Sequence, residues 1–305
     1  MSQSISSSKA TAWYESLRPR TLPLTLASIV TGVAIASWQG FFKFDVALLC
    51  LITAGMLQIL SNLANDYGDA IKGSDTEARI GPNRGMQKGL ISLAEMKKAL
   101  MVTIGLTMIS GVALIAVACE KPSDIIGFLT LGLVAIVAAI TYTVGHKPYG
   151  YMGLGDISVL IFFGWLGVGG TYYLLTTNID AVVILPATAC GLLATAVLNI
   201  NNLRDIENDR ANGKNTLAVR LGPVMARRYH FILILSAILC LIIFSLIYSR
   251  SWHGWLFVLA VPLLYRHAMY VLQNPTASAM RPMLENMVKG ALLTNILFAV
   301  GILWS

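Results

Sequence analysis

Charge is scarce in this chain. Only 12% of its 305 residues are charged, against 56% in the hydrophobic set, whereas a soluble domain carries roughly 25% charged residues. That deficit excludes an ordinary water-soluble fold. Cysteine is scarce too: Cys50, Cys119, Cys190 and Cys240 stand singly, without CxxC spacing, so neither a disulfide framework nor a thiolate metal site is expected. The histidines are scattered, with no cluster for zinc and no pairing with Ser or Cys in a nucleophile motif, which leaves covalent catalysis without a candidate. Loops long enough for a separate soluble domain are also missing, so residues 1–305 read as one intramembrane domain.

What is present is a series of about nine apolar stretches of roughly 17–22 residues, the length that crosses a hydrocarbon slab about 30 Å thick. They run near Leu22–Trp38, Val46–Ser61, Leu100–Ala118, Ile125–Gly145, Leu154–Leu175, Val182–Ile200, Phe231–Tyr248, Trp255–Tyr270 and Val288–Trp304. Threading them from a cytoplasmic N-terminus leaves only Lys43, Lys121 and Arg250 of the 22 Lys and Arg outside, as the positive-inside rule requires, and puts the C-terminus outside. The net charge of +7 therefore reflects topology; the expected partner is a lipid bilayer, not nucleic acid. The Ser-rich, then basic lead before Ala34-Ile-Ala36 has the look of a signal peptide, but its length and the fixed entry set by Pro19 and Pro23 predict an uncleaved first span.

Acids concentrate in two runs, each at the end of an apolar span: Asn62-Leu-Ala-Asn65-Asp66-Tyr67-Gly-Asp69-Ala-Ile-Lys72-Gly-Ser-Asp75 and Asn201-Asn202-Leu-Arg204-Asp205-Ile-Glu207-Asn208-Asp209. Carboxylates at the edge of a membrane are costly and point to function. Asp66 and Asp69, or Asp205 and Asp209, share a face if the helices continue, with Cβ atoms roughly 5–6 Å apart. A shift of 136 residues lays Asn65-Asp66-x-x-Asp69 over Asn201-Asn202-x-x-Asp205, span one over span five and span two over span six. The fold expected is thus an all-α integral membrane protein, two parallel four-helix repeats around a central cavity plus one C-terminal helix.

Oxygen-only ligands favour Mg²⁺, which typically takes one or two carboxylates and leaves positions for phosphate and water. The loop after the first run carries Lys72, Arg79, Arg84 and Lys88 among glycines and reads as a cationic lid, and Ser92-Leu-Ala-Glu95 is a capping box that starts the next helix. The turn His146–Asp156 contains Lys147, and Asp156 is either an N-cap or a functional acid. Gly213-Lys214-Asn-Thr lacks the glycine spacing and strand of a nucleotide P-loop. Acids, cations and an apolar cavity suit a diphosphate head on a hydrocarbon tail. A transporter with intramembrane acids is the competing reading, although these acids gather at span ends. A CDP-alcohol phosphotransferase would need D-x-x-D-G-x-x-A-R, and no glycine directly follows Asp69.

The two acidic motifs resemble the UbiA superfamily of intramembrane prenyltransferases. Ser16-Leu-Arg-Pro-Arg-Thr-Leu-Pro23, Gly81-Pro-x-Arg84-Gly, Lys147-Pro-Tyr-Gly-Tyr-x-Gly-Leu-Gly-Asp156 and Thr195-Ala-Val-Leu-Asn-Ile-Asn-Asn-Leu-Arg-Asp205 are similar to its naphthoate-prenylating branch. The likeness covers nearly the whole chain. It implies a nine-helix, Mg²⁺-dependent enzyme of a bacterial cytoplasmic membrane. The reaction implied joins a polyprenyl diphosphate, with octaprenyl the favoured chain, to 1,4-dihydroxy-2-naphthoate with decarboxylation, in menaquinone synthesis; relatives using 4-hydroxybenzoate, haem or homogentisate remain alternatives. Carried over residue by residue, Asn65, Asp66, Asp69, Asp205 and Asp209 hold metal, and those four Asp are the catalytic acids. Lys72, Lys147, Arg204 and Lys214 are expected to bind diphosphate, and Arg18, Arg20, Arg84, Asp156 and Tyr142 to meet the acceptor. Where the superfamily often places a further Asp, four residues after Asp69, this chain has Gly73, with Asp75 two later; its Tyr-x-x-x-Lys is stretched to Tyr142 and Lys147.

Overall fold

The computed structural model describes residues 8–73 and 85–305, so Asp75, Arg79 and Arg84 lie outside it. Among the described residues there are helices and no strands, and nine helical segments are long and apolar enough to cross a membrane. The short helix α1 (Lys9–Leu17) precedes α2 (Leu22–Trp38), α3 (Phe44–Lys72), α4 (Leu93–Ala118) and α5 (Pro122–Thr141). The second half comprises α6 (Gly155–Thr176), α7 (Ala181–Arg204), the short α8 (Ile206–Ala211), α9 (Leu217–Tyr248) and α10 (Trp252–Gln273), and α11 (Ser278–Leu303) closes the chain.

Local sequence explains the starts. Pro23 lies in the first turn of α2, where a missing N–H costs nothing. Ser92 and Glu95 form the expected capping box of α4. Thr216 caps α9, which bends at Gly222-Pro223, where Gly222 takes φ 73°.

Several helices outrun the apolar stretches read from sequence. With 29 residues, α3 is roughly 43 Å long at 1.5 Å per residue, more than the hydrocarbon needs, and continues beyond Ser61 to carry the whole of Asn62–Lys72. Likewise α9 begins at Leu217 rather than Phe231, and the helical part of α11 starts at Arg281 rather than Val288. Hydropathy ends at the first polar side chains, whereas helical hydrogen bonding does not.

The halves meet through α2, which contacts α6, α7 and α11, while α7 packs on α6 and α9. Gly164 of α6 and Gly191 of α7 allow a close crossing: a Cβ on Gly164 would stand 2.5 Å from the Ala187 carbonyl oxygen. Small residues at such crossings are the usual device for helix association in lipid. In contrast α5 buries none of its residues within the chain and presents Ile126, Leu133 and Val137 outward.

Candidate active site

A cavity of about 900 Å³ opens between the halves. Its deeper wall is apolar, with Leu57, Ala135, Phe162, Phe163, Val197 and Leu198; its mouth carries Arg18, Arg20, Asn62, Asn65, Asp66 and Asp69 from the first half and Asn201, Asn202, Arg204 and Lys214 from the second. The cavity that the repeat predicts is therefore present, and both motifs reach it.

On α3, Asp66 and Asp69 are buried one turn apart. The Arg18 guanidinium donates to Asp66 Oδ1 at 2.7 Å. Arg18 itself ends α1 with φ 52°, a left-handed conformation unusual for a side-chain-bearing residue. Asn62 fixes that junction, its Nδ2 donating to the Leu17 carbonyl at 3.0 Å. Asn65 Oδ1 accepts from Thr143 Oγ1 at 3.2 Å, leaving the oxygen's second lone pair for another partner. Gly68 is needed where it stands, because a Cβ there would lie 2.8 Å from the Thr143 backbone. Tyr151 donates its hydroxyl to Asp69 Oδ1 at 2.9 Å.

The second motif straddles a break. Asp205 leaves helical geometry, with φ −100° and ψ 10°, between α7 and α8. Arg204 grips it with two hydrogen bonds, Nε to Oδ1 at 2.9 Å and Nη2 to Oδ2 at 2.6 Å, and a third goes to Asn201 Oδ1 at 2.8 Å. Lys214 lies 3.8 Å from Asp209. Asp205 and Asp209 are both buried and are not themselves among the cavity-lining residues; Arg204 and Lys214 are.

Other predicted residues separate. Tyr142 lines the cavity just past the end of α5. Lys72 and Lys147 line a separate outer pocket of about 590 Å³ with His146 and Tyr151. Asp156 lines neither space; it is buried at the start of α6 with the Tyr229 side chain facing its carboxylate. Sequence reading missed four lining or bridging residues: Tyr151, Gln58, Arg281 and Glu285. The last two fall in the opening turns of α11, which hydropathy assigns to a loop. Gln58, on α3 one turn before Asn62, bonds Thr25 and donates to the Thr21 carbonyl at 2.9 Å.

Among the described residues no three His, Cys, Asp or Glu side chains converge as a ready metal cage. The motifs offer carboxylate and amide oxygens in small sets, a donor chemistry that matches Mg²⁺ completed by substrate phosphate and water, not zinc.

The pattern of the UbiA prenyltransferase family matches residues 25–288. The 1,4-dihydroxy-2-naphthoate octaprenyltransferase of Escherichia coli (strain K12) is 63% identical over 98% of this chain and 97% of its own length. The Haemophilus influenzae protein of the same name is 58% identical over 97% and 96%. Among solved structures, the apo UbiA homolog from Aeropyrum pernix K1 superposes with a TM-score of 0.68 at 16% identity, covering 91% of this chain and 96% of that one. A UbiA homolog from Archaeoglobus fulgidus bound to GPP and Mg²⁺ gives 0.62 at 16% identity, over 95% and 100%.

Proposed function

The chain belongs to the UbiA prenyltransferase family, and from that premise we propose that it transfers an octaprenyl group from its diphosphate to 1,4-dihydroxy-2-naphthoate. The products are demethylmenaquinol, diphosphate and CO₂. The observation that carries this reading is a single cavity whose mouth joins both acidic motifs to a set of cations and whose depth is apolar. Near-full-length identity to naphthoate octaprenyltransferases supports the acceptor.

Asp66, Asp69 and Asn65, with Asp205 and Asp209 opposite, would hold Mg²⁺. When bound, the metal supplies charge neutralisation to the departing diphosphate. Arg204 and Lys214 stand at the mouth to receive phosphate oxygens, where preorganised donors stabilise charge as it develops. The apolar wall takes the start of the prenyl chain and keeps water from the electron-poor allylic carbon. The acceptor's ring carbon forms the new bond as the allylic C–O bond breaks, with both electrons leaving on the diphosphate oxygen. Loss of the carboxyl carbon as CO₂ then restores the aromatic ring. Arg20, which lines the cavity on the turn before α2, is the residue assigned to the acceptor carboxylate. Tyr142 donates a hydrogen bond to the acceptor and does not take its proton.

The enzyme is a multi-pass protein, and we place it in a bacterial cytoplasmic membrane with the motifs and N-terminus inside. The test is product identification. Detergent-purified protein is incubated with Mg²⁺, octaprenyl diphosphate and 1,4-dihydroxy-2-naphthoate, 4-hydroxybenzoate or homogentisate in turn. The mass of a decarboxylated prenyl naphthoquinol is expected from the first acceptor; efficient prenylation of another acceptor in its place refutes the assignment.

A further inference from the structure

Tyr151 stands where the two acidic motifs meet. It belongs to a single helical turn, Tyr149–Met152, and its side chain is buried. The hydroxyl donates to Asp69 Oδ1 at 2.9 Å. Lys72 Nζ lies 4.3 Å from the ring centroid and Lys214 Nζ lies 5.3 Å from it. Since Lys214 also faces Asp209, one side chain touches an acid and a cation of the first motif and reaches the acid of the second through a cation. The backbone repeats the connection. The Tyr151 carbonyl accepts from the Asn215 amide at 2.9 Å, and Arg220 Nη2 donates to the Met152 carbonyl at 2.6 Å.

The groups around the ring face two spaces: Lys72 and Tyr151 line the outer pocket, while Asp69 and Lys214 line the main cavity. An ammonium group over an aromatic face is held by the ring quadrupole. The ring takes up no directional acceptor bond as a carboxylate does, so the N–H donors that point away from it stay available, even in Lys214, which also lies 3.8 Å from Asp209. Two lysines on one ring are thus kept at a set spacing with donors to offer a polyanion.

We propose that Tyr151 is the positioning residue that makes the two motifs one site: its hydroxyl orients Asp69 toward the divalent cation, and its ring presents Lys72 and Lys214 to the diphosphate. This rests on the metal and diphosphate reading above.

The functions of hydroxyl and ring separate in two variants. On detergent-purified protein, Mn²⁺ binding is followed by electron paramagnetic resonance, and binding of inorganic diphosphate at saturating Mg²⁺ by calorimetry. Y151F is expected to weaken Mn²⁺ about tenfold, the size of a lost hydrogen bond to a charged group, while leaving diphosphate affinity within about twofold. Y151L is expected to weaken diphosphate about tenfold as well, as the ring's hold on both cations goes. A merely structural tyrosine would lower both affinities together in Y151F; that result, or an unchanged diphosphate affinity in Y151L, overturns the proposal. Should Y151L fail to fold, Y151F with K72M decides: the first must move Mn²⁺ alone and the second diphosphate alone, and any other division refutes the role. Failure of the underlying reading looks different, because the wild-type protein would then bind neither Mn²⁺ nor diphosphate.

Discussion

The first acidic motif rides on one unbroken helix, α3, to Lys72, whereas the second is interrupted at Asp205, where the chain turns from α7 into α8. The register that pairs Asn65 with Asn201 and Asp69 with Asp205 also sets Gly68 against Arg204 and Gly73 against Asp209. Each exchange has a physical consequence. At Gly68 the Thr143 backbone occupies the room of a side chain; at the matching place the second motif puts a guanidinium on its own acid. The first motif therefore shows its carboxylates to the cavity, while the second shows cations with carboxylates behind them. Similar sequences have been folded into one half that turns acids to the cavity and one that turns cations to it.

The acids test this division most severely. D66N and D205N should both cut turnover at least a thousandfold, measured as product formed at saturating substrates. Their stabilities should diverge. Arg204 is only 5% exposed, against 27% for Arg18, and removing one partner of a buried pair costs about 3–5 kcal/mol. D205N should thus lower the thermal unfolding midpoint sharply and D66N little; equal losses would erase the distinction.

The lysines sharpen it. K214Q, at the cavity mouth, should raise the KM for octaprenyl diphosphate about tenfold, the value of one charge-assisted hydrogen bond. K147Q, in the outer pocket but not one of the two lysines held over the Tyr151 ring, should change it less than about twofold. Gly68 tests the packing behind the first motif. G68A should cost about 1–3 kcal/mol of stability by overpacking and weaken Mn²⁺ binding by displacing Asp69, with little change in diphosphate affinity.

Much of this was legible beforehand for definite reasons. Long apolar runs have one economical fate in lipid, so the spans and the shared location of the motifs could be read from hydropathy and charge, and Ser92-Leu-Ala-Glu95 marked the start of α4 because a capping box satisfies two backbone donors locally. The resemblance to a family supplied the reaction. Long-range consequences were not legible. Nothing in Gly-Tyr-Met says that Tyr151 will lie beside lysines from two distant parts of the chain. Asp156 gave no sign that it would sit outside the cavity, and Lys147 none that it would face a different pocket. Arg281 and Glu285 were hidden by the same polar residues that cut the apolar run of α11 short.

The helix α1 gives the site a sensitivity to electrolyte. Thr11, Tyr14, Glu15 and Ser16 of α1 border the cavity mouth, and the helix is strapped down by solvent-facing ion pairs, Lys9 with Glu95 and Lys88 with Glu15. Mobile ions screen exposed pairs, with a Debye length of about 8 Å at physiological strength and about 3 Å at 1 M, whereas the buried Arg204 pair is shielded from them. Salt therefore acts on the cover of the site before it acts on the clamp beneath, and the ionic-strength dependence of substrate entry becomes a gauge of how firmly that cover is held.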